Sequence, residues 1–411
     1  MPALAESKGS IRQLPAWLAL ALALATLLAL VASSVGWNPH ADLQDFVEYW
    51  AAGRLNSHGH NPYDPTRLYE IERTVSPRLT EAIMMWNPPW TLALAMPFGW
   101  LPAQTSHALW IALQLTALLV SVDWLWRLYG GPAQYRWFAW LLSVGFLPTF
   151  FALRMGQISP LILLGIVGFL YFEKRGQGAL AGAALAVATI KPHLVLIYGA
   201  AVFLWTIHRR RWSVLLGGAT ALLALVGAAL AFNPEVLHQY SVAMRERPPQ
   251  FLSPTLGSVL RLLFGLENFR LQFLPAALGL GWVLPHWWSR RDSWCWADQT
   301  PLLLLVSFLT ASYGAWPFDL VVLLLPLLQG AVWVVRDQTR RAVLFATVAY
   351  LGFNLTSYLM KDIRYTDYYW CAWMTPMLFY CYLVLRTRVS IPAGAGVLPQ
   401  YSLPACGGRS G

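Results

Sequence analysis

The stretch LPAWLALALALATLLALVASSV, residues 14–35, contains no charged residue and is long enough to cross a bilayer as one helix. Lys8 and Arg12 precede it, and the run is longer than the apolar core of a typical signal peptide. Because basic residues favour the cytoplasmic side, we predict an uncleaved first transmembrane span with residues 1–15 in the cytoplasm.

The rest of the chain has the same apolar character. Of its 411 residues, 57% are hydrophobic and only 12% are charged, against about 25% charged in ordinary soluble domains. Its 22 Trp and 17 Tyr suit the aromatic belts of a membrane protein. We predict an all-α polytopic membrane protein. The net charge of +10 comes from short basic clusters between apolar runs, which argues against nucleic-acid binding.

About twelve crossings are expected, provided that segment 86–101, which contains three prolines, lies in the interface or re-enters. The apolar segments after the first span are 86–101, 105–126, 135–152, 158–172, 179–190, 193–207, 212–232, 270–288, 299–315, 318–335, 341–360 and 368–386. We predict one multispan catalytic domain, residues 16–388. It has extracytoplasmic loops at about 37–104 and 233–268, and a disordered cytoplasmic tail at 389–411.

This topology places most of the unusual polar residues near membrane segments on the outer side. They are Asp42, Asp45, Arg154, Gln157, Lys191, His193, the loop 233–268, the segment 316–319 and the segment 361–367. A transporter is expected to hold its polar residues near the midplane, often in internal repeats, and no repeat is evident. The one-sided clustering therefore predicts a catalytic cavity at the outer face.

Asp45 lies just past the first span, in DFVEYWAAG. A carboxylate there could act as a general base toward an attacking hydroxyl. The alternative is a helix N-cap, with Glu48 completing a capping box. The sequence leaves both interpretations open.

Arg154 and the segment Lys191-Pro-His193 place cations at the outer ends of apolar runs. Charges at membrane segments are usually paired or functional, and phosphate is a natural partner of outer cations. The alternatives are snorkelling at the interface or a structural pair with Asp319. Asp319 itself follows Trp316 at the start of a span, where interaction with the helix dipole or binding of a sugar would both suit a carboxylate.

No metal or cofactor is expected. His58 and His60 lie in a turn that is followed by a short amphipathic helix starting near Pro65, and they are predicted to be solvated. The four cysteines show no metal-ligand spacing. The chain has no P-loop, no GxGxxG ahead of a helix, no HExxH and no GxSxG, which disfavours ATP-driven transport, dinucleotide chemistry and serine hydrolysis.

Five segments, in this order, resemble glycosyltransferase family 87, the polyprenol-phosphate-sugar-dependent membrane enzymes of the GT-C superfamily. They cover about residues 40–330 and read DFVEYWAAG with the following NPYD, WNPPWTLALAMPFGWLP, RMGQISPLILL, AGAALAVATIKPHLVLIY and SYGAWPFDLVVLLLP. The resemblance implies a GT-C-type bundle of about 12 transmembrane helices, with short interfacial helices in a periplasmic first loop.

The same resemblance implies inverting transfer of a hexosyl residue, typically mannosyl, from a polyprenyl-phosphate donor to a hydroxyl of a glycan or glycolipid. No metal would take part. It assigns Asp45 as general base, with Asp42 as second choice. The donor phosphate would contact Arg154, Lys191 and His193, and the residues that bind sugar or acceptor would be Gln157, Asp319, Trp316, Tyr63 and Asn87.

The enzyme would then lie in the inner (plasma) membrane of a bacterium with its site facing outward, and its partners would be membrane lipids, the lipid-linked donor and the acceptor. The alternative function is a multispan transporter or flippase of lipid-linked saccharides, which should keep partial activity in Asp45→Asn. A purely structural membrane protein should tolerate every substitution named above. The sugar, the acceptor, the oligomeric state and any protein partner stay open.

Overall fold

The computed structural model describes residues 43–245, 252–337 and 339–389. Within these ranges the chain forms helices and no β-strand, as predicted. The predicted first span at 14–35, the second-choice base Asp42 and the tail from residue 390 lie outside the described residues.

The α-helices of the described part are numbered here in chain order. They are α1 (Phe46–Ser57), α2 (Pro65–Val75), α3 (Leu92–Gly99), α4 (Ala103–Leu128), α5 (Arg136–Val144), α6 (Leu147–Arg154), α7 (Ser159–Lys174), α8 (Gly178–Ala188), α9 (Leu196–His208), α10 (Trp212–Phe232), α11 (Val236–Arg245), α12 (Leu256–Phe264), α13 (Leu274–Trp288), α14 (Trp296–Leu309), α15 (Leu324–Asp337), α16 (Arg340–Leu359) and α17 (Met374–Val389). Short 3-10 segments include Pro89–Thr91, Pro192–Leu194, Asp319–Leu323 and Tyr365–Trp373.

Three short helices, α1 to α3, occupy the segment predicted as the first loop. Helix α2 begins at Pro65, as the sequence predicts, because the Asp64 side chain accepts hydrogen bonds from the N–H groups of Thr66 at 2.9 Å and Arg67 at 3.3 Å. Helix α3 has eight residues and covers about 12 Å. Segment 86–101 therefore forms no helix long enough to cross a hydrocarbon core of about 30 Å.

Helices α1 and α3 pack with their backbones close together. A Cβ added at Gly53 of α1 would lie 2.6 Å from the Ala95 carbonyl oxygen of α3, and one added at Gly99 would meet the backbone of Arg54. Arg54 also donates to the Gly99 carbonyl at 3.3 Å. Since α1 carries Glu48 and begins directly after Asp45, this contact fixes the position of both acidic residues.

Small residues also allow α8 to pack between α7 and α10. A Cβ at Gly165 of α7 would meet the Ala184 carbonyl, and one at Gly182 of α8 would meet the Val214 carbonyl of α10. Close approach through small residues is typical of membrane helix pairs. This packing holds the C-terminal end of α8, and the chain breaks there at Lys191-Pro192, as predicted, before the 3-10 turn.

Four helical segments of the described residues are long and apolar enough to cross a membrane: α4, α10, residues 319–337 and α16. A fifth arises if α5 and α6, which meet at a bend of 62°, form one broken span. Helices α8, α9 and α14 are apolar but shorter. The described residues thus contain four or five candidate spans, and turns divide several other apolar runs into helices of 8 to 16 residues. The predicted count of about twelve crossings is not confirmed by these spans and stays a prediction.

The outward faces of the candidate spans are apolar. Leu216 and Leu223 on α10, and Leu344 and Val348 on α16, each expose more than half of their side-chain surface. Large exposed aliphatic residues on several helices are typical of contact with lipid.

Basic residues and one of the predicted site residues lie near opposite ends of α4. At the C-terminal end of α4, Asp123 pairs with Arg127 at 2.7 Å and Arg136 at 3.2 Å, and Arg336 donates to the Gly130 carbonyl at 2.6 Å. At the N-terminal part of α4, the Trp110 indole donates to the Gly156 carbonyl at 2.7 Å, next to Gln157. The grouping agrees with the assignment of basic clusters to one side and polar residues to the other.

The α1–α3 contact leads to a stability prediction. Gly53→Ala should lower the free energy of unfolding by about 1–3 kcal/mol, because the new methyl group must displace the α3 backbone. The matched control is Gly227→Ala in α10, where an added Cβ meets nothing within 4 Å, so that the loss of glycine should be neutral or slightly stabilising. Both variants are heated in detergent, and the melting temperature is read from the fraction of protein that stays monodisperse. Equal melting temperatures of the two variants would contradict the prediction.

Candidate active site

Asp45 does not cap the helix that it precedes. Its side chain makes no hydrogen bond to the N–H groups of α1, and its Oδ2 accepts a hydrogen bond from the Gln157 amide at 2.7 Å. Of the two interpretations that the sequence left open for Asp45, the structure therefore does not contain the N-cap with a capping box. Gln44, just before, has a φ of 48°, a left-handed conformation that costs about 1–3 kcal/mol in a non-glycine residue.

Gln157 joins three other side chains. Its Oε1 accepts hydrogen bonds from the Tyr49 hydroxyl at 3.1 Å and from the Lys191 ammonium at 3.0 Å. The residue follows Gly156, whose φ of 66° lets the chain turn at the end of α6 and whose position lacks room for a Cβ beside Phe46. Glycine at this position therefore lets Gln157 reach α1.

Lys191 and Asp319 form a buried ion pair. The Lys191 ammonium lies 2.7 Å from Asp319 Oδ1, and Asp319 has no exposed surface. The Ser159 hydroxyl donates to the same oxygen at 2.6 Å, and the Trp316 N–H donates to Oδ2 at 3.2 Å. Of the interpretations considered for Lys191, the structure contains the ion pair with Asp319. Several hydrogen bonds satisfy the Asp319 carboxylate, as a buried charge requires.

Burial controls the acidic groups at the start of α1. Burial raises the pKa of Asp45, opposed by the hydrogen bond from Gln157 and the positive charge of Lys191. Burial raises the pKa of Glu48 well above its usual value, and the nearby Asp45 carboxylate raises it further. Burial therefore favours the protonated form of both carboxyls, while Gln157 and Lys191 favour the ionised form of Asp45.

Hydrogen bonds link the predicted first loop to the segment that carries Lys191. The Tyr63 hydroxyl donates to the Asn87 carbonyl at 3.2 Å, and the Asn87 amide donates to the Ile190 carbonyl at 3.2 Å, one residue before Lys191. Both side chains are buried. Their observed contacts are therefore within the protein, between the loop and the break after α8.

A cavity of about 310 Å³ is lined in part by Gln44, the residue that precedes Asp45. Its lining contains two cations, Arg154 and Lys361, together with the carboxylate of Asp362, which pairs with Lys361 at 2.8 Å. Tyr368 lines the cavity, and the Asp45 charge contributes to raising its pKa, after burial. The cavity therefore carries a net positive lining, within electrostatic range of Asp45.

An apolar groove continues from this cavity along α16 and α17. It is lined by apolar side chains of α5, α15, α16 and α17, including Phe353 and Met377. On α16, Phe353 of the groove and Ser357 of the cavity are one turn apart, as are Met377 and Met374 on α17. A charged cavity and an apolar groove therefore lie end to end.

The structure brings together four of the predicted site residues, Asp45, Gln157, Lys191 and Asp319. Arg154 is exposed and lines the cavity. His193 packs edge-on to Tyr313, with ring centroids 5.8 Å apart. Trp316 packs against Tyr368 at 5.5 Å and so borders the cavity. Sequence reasoning missed Tyr49, Ser159 and Tyr368. It did not select Lys361, although it included segment 361–367 among the polar residues expected on the outer side.

No group of three or more His, Cys, Asp or Glu side chains that could hold a metal occurs in residues 43–245, 252–337 and 339–389. His58 and His60 are exposed, and the His58 ring lies 2.7 Å from the Arg54 carbonyl. The chemistry available in this region is that of carboxyls, cations and an amide.

The buried pair gives a second stability prediction. Lys191→Met should lower the free energy of unfolding by about 3–5 kcal/mol, because Asp319 is then a buried charge without its cation. The double variant Lys191→Met with Asp319→Asn should recover most of that loss, since the asparagine oxygen can still accept one of the remaining hydrogen bonds.

The matched control is Arg67→Ala, which removes an exposed pair at 3.8 Å and should change stability by less than about 1 kcal/mol. Thermal unfolding in detergent compares all three variants. A double variant as unstable as Lys191→Met would show that the ion pair is not the source of the loss.

Comparison with known families finds a match between residues 86–356, about two thirds of the chain, and the model of glycosyltransferase family 87. The matched range includes Gln157, Lys191 and Asp319, and it begins after Asp45 and Tyr63. No curated protein and no solved structure matches the chain significantly. The family match agrees with the resemblance found in the sequence, and the chain is a membrane protein that belongs to glycosyltransferase family 87.

Proposed function

We propose that the protein transfers a hexosyl residue, with mannosyl as first candidate, from a polyprenyl-phosphate donor to a hydroxyl of a glycan or glycolipid. The observation that carries this proposal is the Asp45 carboxyl, which is held by the Gln157 amide at 2.7 Å beside a cation-lined cavity, instead of capping α1. Membership of a glycosyltransferase family supports the reaction class.

In this proposal Asp45 is the general base. The acceptor hydroxyl oxygen attacks the anomeric carbon, its proton passes to the Asp45 carboxylate, and the bond from that carbon to the phosphate oxygen breaks with its electron pair on the phosphate. Attack opposite the leaving group inverts the anomeric configuration. Residues 43–45 lie at the start of α1, where the strained backbone at Gln44 directs the carboxyl away from the helix N–H groups.

Arg154 is the proposed ligand of the donor phosphate. Its exposed guanidinium lines the cavity, and Arg binds phosphate through two parallel hydrogen bonds. Lys361 lines the same cavity as a second cation. Positive charge there would stabilise the phosphate as negative charge develops on the leaving oxygen.

The apolar groove along α16 and α17 is the proposed place for the polyprenyl chain. Its lining is almost wholly apolar, and the groove lies one helical turn beyond the charged cavity. A lipid phosphate has the same sequence of properties, a charged head followed by an apolar chain. Aromatic rings bordering the cavity, Trp316 and Tyr368, could stack on a sugar face.

The finer topology is also part of the proposal. A GT-C-type bundle of about 12 crossings, in a bacterial plasma membrane with the site facing outward, agrees with the separation of basic clusters from the Asp45 region along α4. Membrane lipids, the lipid-linked donor and the acceptor are the proposed partners, and neither metal nor cofactor takes part.

A flippase of lipid-linked saccharides is the alternative function. It would use the same cavity and groove, but Asp45 would only line a path. The two functions therefore differ in how much activity survives when Asp45 loses its charge and keeps its shape.

Asp45→Asn should lower transfer at least about 10²–10⁴-fold, the range of a general base, while donor binding persists. Membranes that contain equal amounts of wild type or variant are incubated with polyprenyl-phosphate donors carrying radiolabelled sugars, mannose first, and the labelled glycolipid is extracted. Glu70→Gln, at an exposed acid of the same loop, is the matched control and should keep full activity. Undiminished product from Asp45→Asn would exclude the base.

Arg154→Ala should raise KM for the lipid-linked donor about 10-fold or more, because a charged hydrogen bond to the phosphate is worth about 1.5–3 kcal/mol. Arg270→Ala removes an exposed arginine of the loop after α12 and controls for the loss of one positive charge. Initial rates at varied donor concentration give both constants, and an unchanged KM in Arg154→Ala would remove Arg154 from the phosphate site.

A further inference from the structure

We infer that Lys191 and Asp319 are positioning residues that act on Asp45 through Gln157, and that they leave Asp45 Oδ1 as the atom that receives the proton. Lys191 is then not a ligand of the donor phosphate, although its sequence position suggested that role. This inference rests on the proposed role of Asp45 as general base.

The orientation of the Gln157 amide is fixed by its neighbours. An ammonium can only donate hydrogen bonds, so the atom 3.0 Å from Lys191 Nζ must be the amide oxygen. The Tyr49 hydroxyl donates to the same oxygen at 3.1 Å. The NH2 group therefore points to Asp45 and donates to Oδ2 at 2.7 Å.

One oxygen of Asp45 stays available. Among the described residues, Oδ1 has no hydrogen-bond partner, while the Asp45 side chain as a whole is partly exposed. A general base needs one oxygen within reach of the acceptor hydroxyl. Binding of Oδ2 by Gln157 restrains the carboxyl group and leaves Oδ1 as the oxygen that can accept a hydrogen bond from the acceptor hydroxyl.

Lys191 has little capacity left for a phosphate. Its ammonium donates to Asp319 at 2.7 Å and to Gln157 at 3.0 Å, lies 5.0 Å from the centroid of the Phe318 ring, and the residue is buried. It does not line the cavity, whereas Arg154 and Lys361 do. Of its three N–H donors, two are used by Asp319 and Gln157, so a phosphate could accept at most one hydrogen bond from this buried ammonium unless it displaced one of them.

Several groups set the charge that Asp45 experiences. They are Lys191, Asp319, Glu48, Tyr49 and Tyr368, together with the neutral amide of Gln157. The Lys191 charge and the Gln157 hydrogen bond lower the pKa of Asp45, and the Asp319 charge raises it. Removing the Gln157 hydrogen bond should therefore raise the pKa of Asp45, and removing the Asp319 charge should lower it.

The test measures that titration by labelling. Dicyclohexylcarbodiimide reacts with protonated carboxyls in apolar surroundings, and mass spectrometry of the modified peptide separates Asp45 from Glu48. The labelling midpoint of purified protein should move to higher pH in Gln157→Met and to lower pH in Asp319→Asn, each by about half a unit or more. Asp45→Asn gives the background, and Glu70→Gln is the control with an unchanged midpoint.

Kinetics with the lipid-linked donor form the second measurement. The double variant Lys191→Met with Asp319→Asn should lower kcat about 10–100-fold, because the base is no longer held in place. Its donor KM should stay within about threefold of wild type, while that of Arg154→Ala rises. The acidic limb of the rate profile should follow the labelling midpoint in each variant.

The possible outcomes test the positioning role of Lys191 and Asp319 separately from the proposed transferase function. A tenfold rise in donor KM of the double variant with an unmoved midpoint would overturn the inference and assign Lys191 to the phosphate. Midpoints that do not move, or that move in the same direction in Gln157→Met and Asp319→Asn, would also overturn it. Opposite shifts in a protein that transfers no sugar from any polyprenyl-phosphate donor would support the coupling and refute the proposed function.

Discussion

The charge of Lys191 is the constraint on which the rest of the site depends. A buried ammonium is costly unless it is paired and hydrogen-bonded, and here Asp319 supplies the charge while Gln157 supplies a neutral acceptor. Satisfying this one group draws together the break after α8, the turn after α6 and the start of residues 319–337. The NH2 group of the same Gln157 amide then donates a hydrogen bond to Asp45. The position of the proposed base is thus a consequence of how a lysine is neutralised elsewhere.

Backbone geometry serves the same arrangement. Left-handed φ angles occur at Gln44 and Gly156, directly before Asp45 and Gln157, and at Gly314 and Ala315, directly before Trp316. Such conformations in Gln and Ala persist only where surrounding contacts determine them. The site is therefore held by sharp turns between helices, whose packing through small residues such as Gly53 and Gly182 fixes where those turns lie.

Local patterns predicted the parts of the molecule that local physics controls. Apolar runs indicated helices, Asp64-Pro65 indicated the start of α2, and Lys191-Pro192 indicated a break. Spacing in the sequence could not predict that Gln157 joins residues 112 and 34 positions away, because those contacts depend on tertiary packing. The capping box failed for the same reason: a distant amide competes successfully for the Asp45 side chain. Hydropathy also does not show where a turn interrupts an apolar run, so the described residues contain fewer long apolar helices than apolar runs.

The cavity lining carries net positive charge, and the group of side chains around Asp45 carries net negative charge. This difference has a consequence for any lipid phosphate that enters. Arg154 and Lys361 line the cavity, with only Asp362 opposing them. Asp45, Glu48 and Asp319 are not part of this lining and form a second, acidic layer whose nearby cation is Lys191. An anionic head group is attracted to the first layer and repelled by the second. The sugar and the polyprenyl chain are both uncharged; since the chain is proposed to lie in the apolar groove, the sugar is the part that can advance to the carboxyls without electrostatic resistance. The layered charge would act as an orientation filter, which selects how a donor enters before any contact specific to its sugar is made.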